Sequence, residues 1–322
     1  MLSRRAAAAF IVLAIAGRAF GREVIELGFV PQVGTSIFAI DPANGTYRIL
    51  WPSVFSAGGA PGVRNTYDAE SQRWFQLVGG AGPSSISFHT YDMAAQSATH
   101  LHVSVCCGPI EFDRTGNRIL LFLTDPISPS IATGVYSINV TTGTSSLLFP
   151  ANLPFAATTL YDTGAFDPVR QRWYFAAQSQ LYVVDVPAAT LHTVPLSCCG
   201  PLAFDSVNDR LIGLGPFELF AIDPVSGASV SLSPVTFNFF SRAAFAFDAE
   251  AQRFYALTTS PSSLYTVDLA TRTSSRVGVA TCCGPLAIAN VTPIPTLEPQ
   301  EKALLLFAIL AVALSQLRLR VT

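Results

Sequence analysis

The stretch "GAFDPVRQRWYFAA" (residues 164–177) decides the fold, because it joins two short apolar runs through a polar turn. Such a pattern predicts a strand, a tight turn and a second strand. An aspartate at the head of the turn can accept backbone N–H groups, so we expect it to be structural. The pattern pairs an aspartate with an arginine five residues later, and it recurs at Asp68/Arg73, Asp113/Arg118, Asp167/Arg172, Asp205/Arg210 and Asp248/Arg253.

A second hairpin pattern follows each of these units. It is an alternating strand that ends in Asp or Asn before a turn, as in "ELFAIDPVSG" and "SLYTVDLATR". The copies lie 38 to 51 residues apart, and their marked residues are Asp41, Asp92, Asn139, Asp185, Asp223 and Asp268. There are thus six copies of the second hairpin and five of the first.

Units of about 45 residues with four short strands each are typical of a β-propeller blade. The sequence therefore predicts an all-β fold, a six-bladed β-propeller over residues 22–291. The missing first turn is explained if "PLAIANV" (285–291) supplies the innermost strand of the blade that begins with "EVIELGF". Strands from both chain ends then close the ring, which removes free sheet edges.

The "FDxxxxR" and "YxVDxxTG" patterns resemble the exported YVTN, NHL and SMP-30-like propellers over residues 23–291. This resemblance implies the fold and no particular activity, because propellers serve many functions.

All six cysteines occur as adjacent pairs in one recurring motif: "CCGPIEFD" (106–113), "CCGPLAFD" (198–205) and "CCGPLAIA" (282–289). The pairs are 92 and 84 residues apart, so they mark every second junction between blades. In an exported chain an even cysteine count favours disulfides. We predict bonds within each pair, Cys106–Cys107, Cys198–Cys199 and Cys282–Cys283. Bonds between different junctions, and a soft-metal site built from free thiols, are the alternatives.

The N-terminus has the pattern of a signal peptide over residues 1–21. Arg4 and Arg5 precede an apolar run, and "AFG" (19–21) provides small residues at the cleavage positions. We expect Arg22 to begin the mature chain. An uncleaved anchor is the alternative, although eleven apolar residues are few for a membrane span.

The C-terminus combines a Pro-rich linker (292–302) with an apolar segment and basic tail (303–322). The linker contains Ile294, Pro295, Thr296 and Leu297, and the tail contains Arg318 and Arg320. This arrangement resembles the IPTL-type sorting signal, which is related to tails processed by exosortases. The resemblance implies a membrane contact through the C-terminal segment and an exosortase-type processing enzyme as a partner. We therefore expect an exported propeller, anchored to the membrane or displayed at the cell surface.

Composition excludes several classes of function. The net charge is −2 and charged residues make up 12% of the chain, so no basic surface for nucleic acid is expected. No nucleophile, zinc-protease or phosphate-loop motif is present. The four histidines are His89, His100, His102 and His192, and we predict no metal or cofactor site for them.

The resulting hypothesis is a non-catalytic propeller that binds a protein or saccharide ligand through its loops. The innermost strands ("PIEFD", "GAFD", "PLAFD", "FAFD", "PLAIA") are apolar apart from Glu111, which argues against a catalytic centre. The alternative is a propeller lactonase, hydrolase or lyase with a metal in its central channel. A structural component of an extracellular matrix is a third class that the sequence does not separate from the first.

Overall fold

The computed structural model describes most of a compact unit that spans residues 22–290. The described residues are 23–30, 34–52, 63–79, 86–105, 108–123, 132–151, 164–198, 200–215, 218–232, 244–259, 262–280 and 286–289. The predicted signal peptide (1–21), linker (292–302) and anchor (303–322) lie outside them.

Six four-stranded antiparallel sheets make up this unit, as predicted for a six-bladed propeller. Each sheet is named below from its innermost strand outward. Blade 1 contains β24 (Leu286–Ala289), β1 (Glu23–Val30), β2 (Gly34–Ile40) and β3 (Tyr47–Trp51). Blade 2 contains β4 (Val63–Asp68), β5 (Arg73–Val78), β6 (Ser87–Asp92) and β7 (Ser97–His102). Blade 3 contains β8 (Ile110–Asp113), β9 (Arg118–Leu123), β10 (Gly134–Asn139) and β11 (Ser145–Pro150).

The other three sheets follow the same order along the chain. Blade 4 contains β12 (Ala165–Asp167), β13 (Arg172–Ala177), β14 (Gln180–Asp185) and β15 (Thr190–Pro195). Blade 5 contains β16 (Leu202–Asp205), β17 (Arg210–Leu214), β18 (Leu219–Ile222) and β19 (Ser229–Ser231). Blade 6 contains β20 (Ala244–Asp248), β21 (Arg253–Thr259), β22 (Ser262–Asp268) and β23 (Thr273–Gly278).

Closure of the ring through both chain ends is confirmed by the pairing of β24 with β1. The two strands are antiparallel, with Glu23 opposite Ala289 and Glu26 opposite Leu286. Blade 1 therefore combines three strands from the start of the domain with one from its end. The pairing covers two sheet edges that an open array would expose.

Strand position explains the burial pattern along each blade. The second strand of blade 4 has the sequence RWYFAA, and its last five residues are buried. Both faces of such a strand pack against neighbouring blades, which requires a continuous apolar run. The outermost strand of the same blade, TLHTVP, is largely exposed.

Aromatic and aliphatic side chains fill the spaces between successive blades. Phe75 of blade 2 stacks on Phe112 of blade 3 with ring centroids 4.8 Å apart. Trp173 and Phe175 of blade 4 cluster with Leu120 and Phe122 of blade 3. Similar apolar clusters lie between blades 4 and 5, 5 and 6, and 6 and 1.

The turn before each outermost strand shows that the ring is built from two-blade repeats. The fifth residue of this turn has positive φ in all six blades, and in blades 1, 3 and 5 it is a glycine (Gly45, Gly143 and Gly227). A Cβ on Gly227 would lie 2.1 Å from the carbonyl oxygen of Pro195 in blade 4. Only glycine permits such a close approach together with φ of +71°. Blades 1, 3 and 5 are also the blades that the three cysteine motifs precede.

No helix occurs among the described residues. In the part of the chain that the structure describes, no helical segment is both long and apolar enough to cross a membrane.

Candidate functional site in the central channel

The innermost strands place one equivalent residue from each blade near the axis of the ring. This residue lies two positions before the turn aspartate, or before its counterpart in blade 1. The six residues are Thr66, Glu111, Ala165, Ala203, Ala246 and Ala287. Polar side chains at this position thus come only from blades 2 and 3, and the other four blades contribute methyl groups.

Thr66 and Glu111 are joined by a hydrogen bond between neighbouring blades. The Thr66 hydroxyl donates to Oε1 of Glu111 at 3.1 Å. The backbone N–H of Phe112 donates to the same oxygen at 3.2 Å. β8 is the edge strand of its sheet and pairs with β9 on one side only. The Phe112 N–H bonds a side chain instead of β9, so it points to the free edge of β8, which faces the axis of the ring. The Glu111 carboxyl group therefore lies on the channel side of β8.

The environment of Glu111 moves its pKa towards 7. Burial raises the pKa of Glu111 to about 7, although the bonds from Phe112 and Thr66 act in the opposite direction. Desolvation disfavours the charged form of a carboxyl group, and here this effect is the larger one. Near pH 7 the group is therefore present in both protonation states, which suits it to accept or donate a proton.

Two further polar residues of β4 lie beside this pair. Arg64 precedes Thr66 by two residues, so it is on the same side of the strand. Tyr67 is on the opposite side, next to Trp74. Burial, assisted by the charge of Asp68, raises the pKa of Tyr67 well above its ordinary value, so its hydroxyl stays protonated. Among the described residues of the innermost strands, polar side chains other than the turn aspartates therefore come from blades 2 and 3.

A belt of buried aspartates surrounds one end of the channel. Its members end the innermost strands of blades 2 to 6 and are at most 3% exposed: Asp68, Asp113, Asp167, Asp205 and Asp248. Each accepts one or two backbone N–H groups of its own turn, for example those of Val207 and Asn208 at Asp205. The residue before each arginine has positive φ, from 45° to 53°. The belt therefore holds the turns in shape.

The arginines of the turns divide into two groups. Arg118 and Arg210 bond the aspartate of their own turn at 2.8 and 2.9 Å, and Arg73 lies 3.6 Å from Asp68. Arg172 and Arg253 instead bond the aspartate that ends the third strand, Asp185 at 2.9 Å and Asp268 at 3.4 Å. The same Asp-to-Arg spacing of five residues therefore occurs with two different ion-pair arrangements.

Bonds between blades connect the belt around the ring. Arg114 of blade 3 bonds Asp68 and Glu70 of blade 2. Gln252 of blade 6 donates to Oδ1 of Asp205 in blade 5 at 3.0 Å. Burial alone would raise the pKa of Asp205, but the bonds from Asn208, Arg210 and Gln252 outweigh it and keep the carboxyl ionised. Four of the aspartates engage protein groups through both carboxylate oxygens, unlike a site that is open to a ligand: Asp68, Asp113, Asp167 and Asp205.

The cysteine and sorting predictions fall mostly outside the described residues. Cys198 is described, and it takes part in a disulfide bond. The others lie outside the described residues, and so does the sorting motif: Cys106, Cys107, Cys199, Cys282, Cys283, Ile294, Pro295, Thr296, Leu297, Arg318 and Arg320. Pairing within each cysteine motif stays a prediction.

The histidines occupy outer strands. His89 of β6 and His100 of β7 are cross-strand partners with stacked rings whose centroids are 4.5 Å apart. His102 follows on the same face of β7, and His192 lies on β15 of blade 4. Among the described residues, no group of three or more potential metal ligands is close enough to share an ion.

Glu111 is distinctive in the sequence, whereas its partner Thr66 and the stacked histidine pair were not predicted. Both signals were present in the spacing. Thr66 and Glu111 each lie two positions before a turn aspartate, and the hairpin turn of blade 2 brings His89 opposite His100.

Comparisons with known proteins support the fold only. No protein-family model matches the chain, and no curated protein matches it. A chain from a nidogen–laminin complex is similar with a TM-score of 0.59 and 14% identity, covering 84% of this chain and 98% of that chain. The periplasmic gluconolactonase of Pseudomonas aeruginosa is similar with a TM-score of 0.54 and 13% identity, covering 85% of this chain and all of that chain.

The prediction that the chain is not an enzyme is wrong as a conclusion from the sequence. The gluconolactonase has the same fold at a similar level of likeness, so the architecture does not argue against catalysis. The prediction depended on the lack of repeated polar residues in the innermost strands. A single carboxyl group whose pKa lies near neutrality does not need a repeat, and such a group is present at Glu111.

Proposed function

We propose that this propeller is a hydrolase of small esters or lactones, and that Glu111 is its proton-transfer group. The observation that carries the proposal is the position of the Glu111 carboxyl on the channel side of β8 with a pKa of about 7. Perturbed acids in a cleft are candidates for general acid–base catalysis. Likeness to the gluconolactonase supports the substrate class at the level of fold.

The proposed reaction uses the Glu111 carboxyl group and a water molecule. Ionised Glu111 takes a proton from a water molecule as the water oxygen bonds to the carbonyl carbon of the substrate. The bond from that carbon to the ring or alkoxy oxygen then breaks, and the leaving oxygen takes the proton from Glu111. A hydroxy acid or an alcohol with its acid is the product, and Glu111 returns to its starting state.

The other channel residues have supporting roles in this proposal. Thr66 fixes the orientation of the carboxyl through its bond to Oε1. The other four blades carry alanine at the equivalent position, so Glu111 is the one carboxyl group at this level of the described innermost strands.

The test is hydrolysis of a panel of small lactones and aryl esters by the full chain and by Glu111→Gln. We expect kcat of the variant to fall on the order of 100-fold, as is typical when a general base is lost. Glu250→Gln, which changes an exposed turn residue of blade 6, is the matched control and should retain activity. Equal activity of the wild type and Glu111→Gln on every substrate would overturn the proposed role of this residue.

The pH dependence gives a second, independent readout. A general base must be ionised, so kcat/KM should rise with pH and reach half of its maximum near pH 7. Glu111→Gln should lose this limb of the profile. Activity that falls as pH rises through 7 would contradict the general-base assignment.

We also propose that the propeller is exported and held at the cell envelope by its C-terminal segment. The support is the apolar run followed by Arg318 and Arg320, together with the signal-peptide pattern at the N-terminus. Deleting residues 303–322 should release a soluble propeller. Fractionation of cells is the test, and persistent membrane association of the truncated protein would contradict the proposal.

A further inference from the structure

The face of blade 2 that turns towards blade 1 carries a row of polar side chains beside buried apolar ones such as Trp74. We use the name seam for Trp51 of β3 together with Gln76, Ser87, His89, Tyr91 and His100 of blade 2. Trp51 and Tyr91 pack edge to face with ring centroids 5.8 Å apart, which shows that this face of blade 2 turns towards blade 1. One cross-strand row on the face consists of Asn65, Gln76, His89 and His100.

Buried imidazole is the distinctive element of the seam. His89 is 8% exposed and Gln76 is 2% exposed. The His89 ring is parallel to that of His100 within 6°. Its Nε2 lies 2.9 Å from the Ser87 hydroxyl oxygen. The corresponding face of blade 2 towards blade 3 instead presents Phe75, Leu77 and Phe88.

The charges around His89 oppose its protonation. The titratable or charged groups on the facing strands are Tyr67, Tyr91, His100 and His102 of blade 2 and Arg48 of blade 1. None of these described groups is a carboxyl, so a proton on His89 meets neutral or positive neighbours. Burial, together with His100, lowers the pKa of His89 to about 4.

We infer that the seam is an acid-sensitive joint of the ring, and that protonation of His89 against its stacked neighbour His100 loosens blade 1 from blade 2. The position of the seam in the ring determines what its loosening does. Blade 1 is the blade in which the two chain ends meet through β24 and β1. Loosening its contact with blade 2 therefore opens the ring beside its closing blade. This inference does not depend on the proposed reaction.

The sign of the pH effect follows from linkage. A histidine whose pKa is lower in the folded protein than in the unfolded chain binds its proton more readily after unfolding. Stability from this residue is complete above the unfolded value of about 6.5 and is lost as pH falls towards 4. Between pH 7 and pH 5 we expect the opening equilibrium of the seam to increase on the order of tenfold.

The experiment is hydrogen exchange of the full chain at pH 7 and pH 5, corrected for the intrinsic pH dependence of exchange. Peptides from β3 and from β6 to β7 report the seam, and peptides from β13 to β14 report an apolar contact. We expect the seam peptides to lose protection at pH 5 about tenfold more than the blade 4 peptides. Equal changes in both sets would overturn the inference.

Two variants separate titration from packing. His100→Gln removes the neighbour that lowers the proton affinity of His89, so the acid-induced loss of protection should shrink. His192→Gln changes an exposed histidine on an outer strand of blade 4 and should behave like the wild type. An unchanged acid response in His100→Gln, or protection by Zn²⁺ at pH 7 that requires His89 and His100, would overturn the inference, the latter because it identifies a metal site.

Discussion

The carboxyl groups of the innermost strands fall into two regions with opposite properties. The aspartates at the ends of these strands recur in five blades, are almost fully buried and bond the protein on several sides. Glu111, near the middle of the channel, occurs once, bonds through a single oxygen and has a pKa near 7. Residues that recur around the ring shape the repeat, whereas a residue that breaks the repeat is free to serve a site.

Removing one aspartate of the belt is the strongest test of its structural role. Asp205→Ala should lower the free energy of unfolding by roughly 3 kcal/mol or more, because Arg210 and the turn N–H groups lose their buried acceptor. Urea denaturation measures the effect. Asp209→Asn is the control, since the Arg170–Asp209 pair is exposed to solvent and its loss should change the free energy of unfolding far less. Equal losses in the two variants would show that the belt is not structural.

The recurring glycines extend the same comparison to the outer turns. Gly227→Ala should destabilise the protein by roughly 2 kcal/mol, because its Cβ would collide with the Pro195 carbonyl at a residue with positive φ. Gly278→Ala is the matched control, since no atom lies within 4 Å of its added Cβ. Thermal unfolding of both variants tests the two-blade repeat, and similar melting temperatures would count against it.

Removing the charge of Glu111 should stabilise the protein at high pH, whereas removing the charge of Asp205 should destabilise it. Because the folded protein favours the protonated form, Glu111 stabilises least above pH 7, where the buried group is ionised. Glu111→Gln should therefore raise the unfolding free energy at pH 8.5 by about 2 kcal/mol, a value already reduced for partial exposure of the side chain. At pH 4.5 the two proteins should be nearly equal. A loss of stability at pH 8.5 would place Glu111 with the structural aspartates.

The smallest expected effect belongs to Thr66. Its hydroxyl stabilises ionised Glu111, so Thr66→Val should move the pKa of Glu111 slightly further upward. The midpoint of the pH–rate profile should shift in the same direction while the melting temperature stays almost unchanged. A downward shift would contradict the assigned hydrogen bond.

Local patterns predicted much of the architecture. The spacing of Asp167 and Arg172 and its four other copies predicted the hairpins, and the missing sixth copy predicted closure by residues 285–291. Spacing did not predict ion-pair partners. Whether Arg172 bonds Asp167 or Asp185 depends on how the third strand lies beside the second.

The candidate site was harder to predict from the sequence than the fold, because it depends on contacts between distant residues. Thr66 and Glu111 are 45 residues apart, and only packing of neighbouring blades brings them together. The largest influence on the pKa of Glu111 is desolvation by burial, which depends on tertiary packing. A search for unrepeated polar residues at equivalent positions would have found both side chains.

Direct titration of the Glu111 carboxyl tests the account most directly. Infrared difference spectra of the wild type minus Glu111→Gln, recorded from pH 4 to pH 9, isolate the carboxyl band of this residue. We expect the protonated band to disappear with a midpoint near pH 7. A midpoint near 4.3, the ordinary value of a solvated glutamate, would show that the channel does not tune this group and would contradict the account.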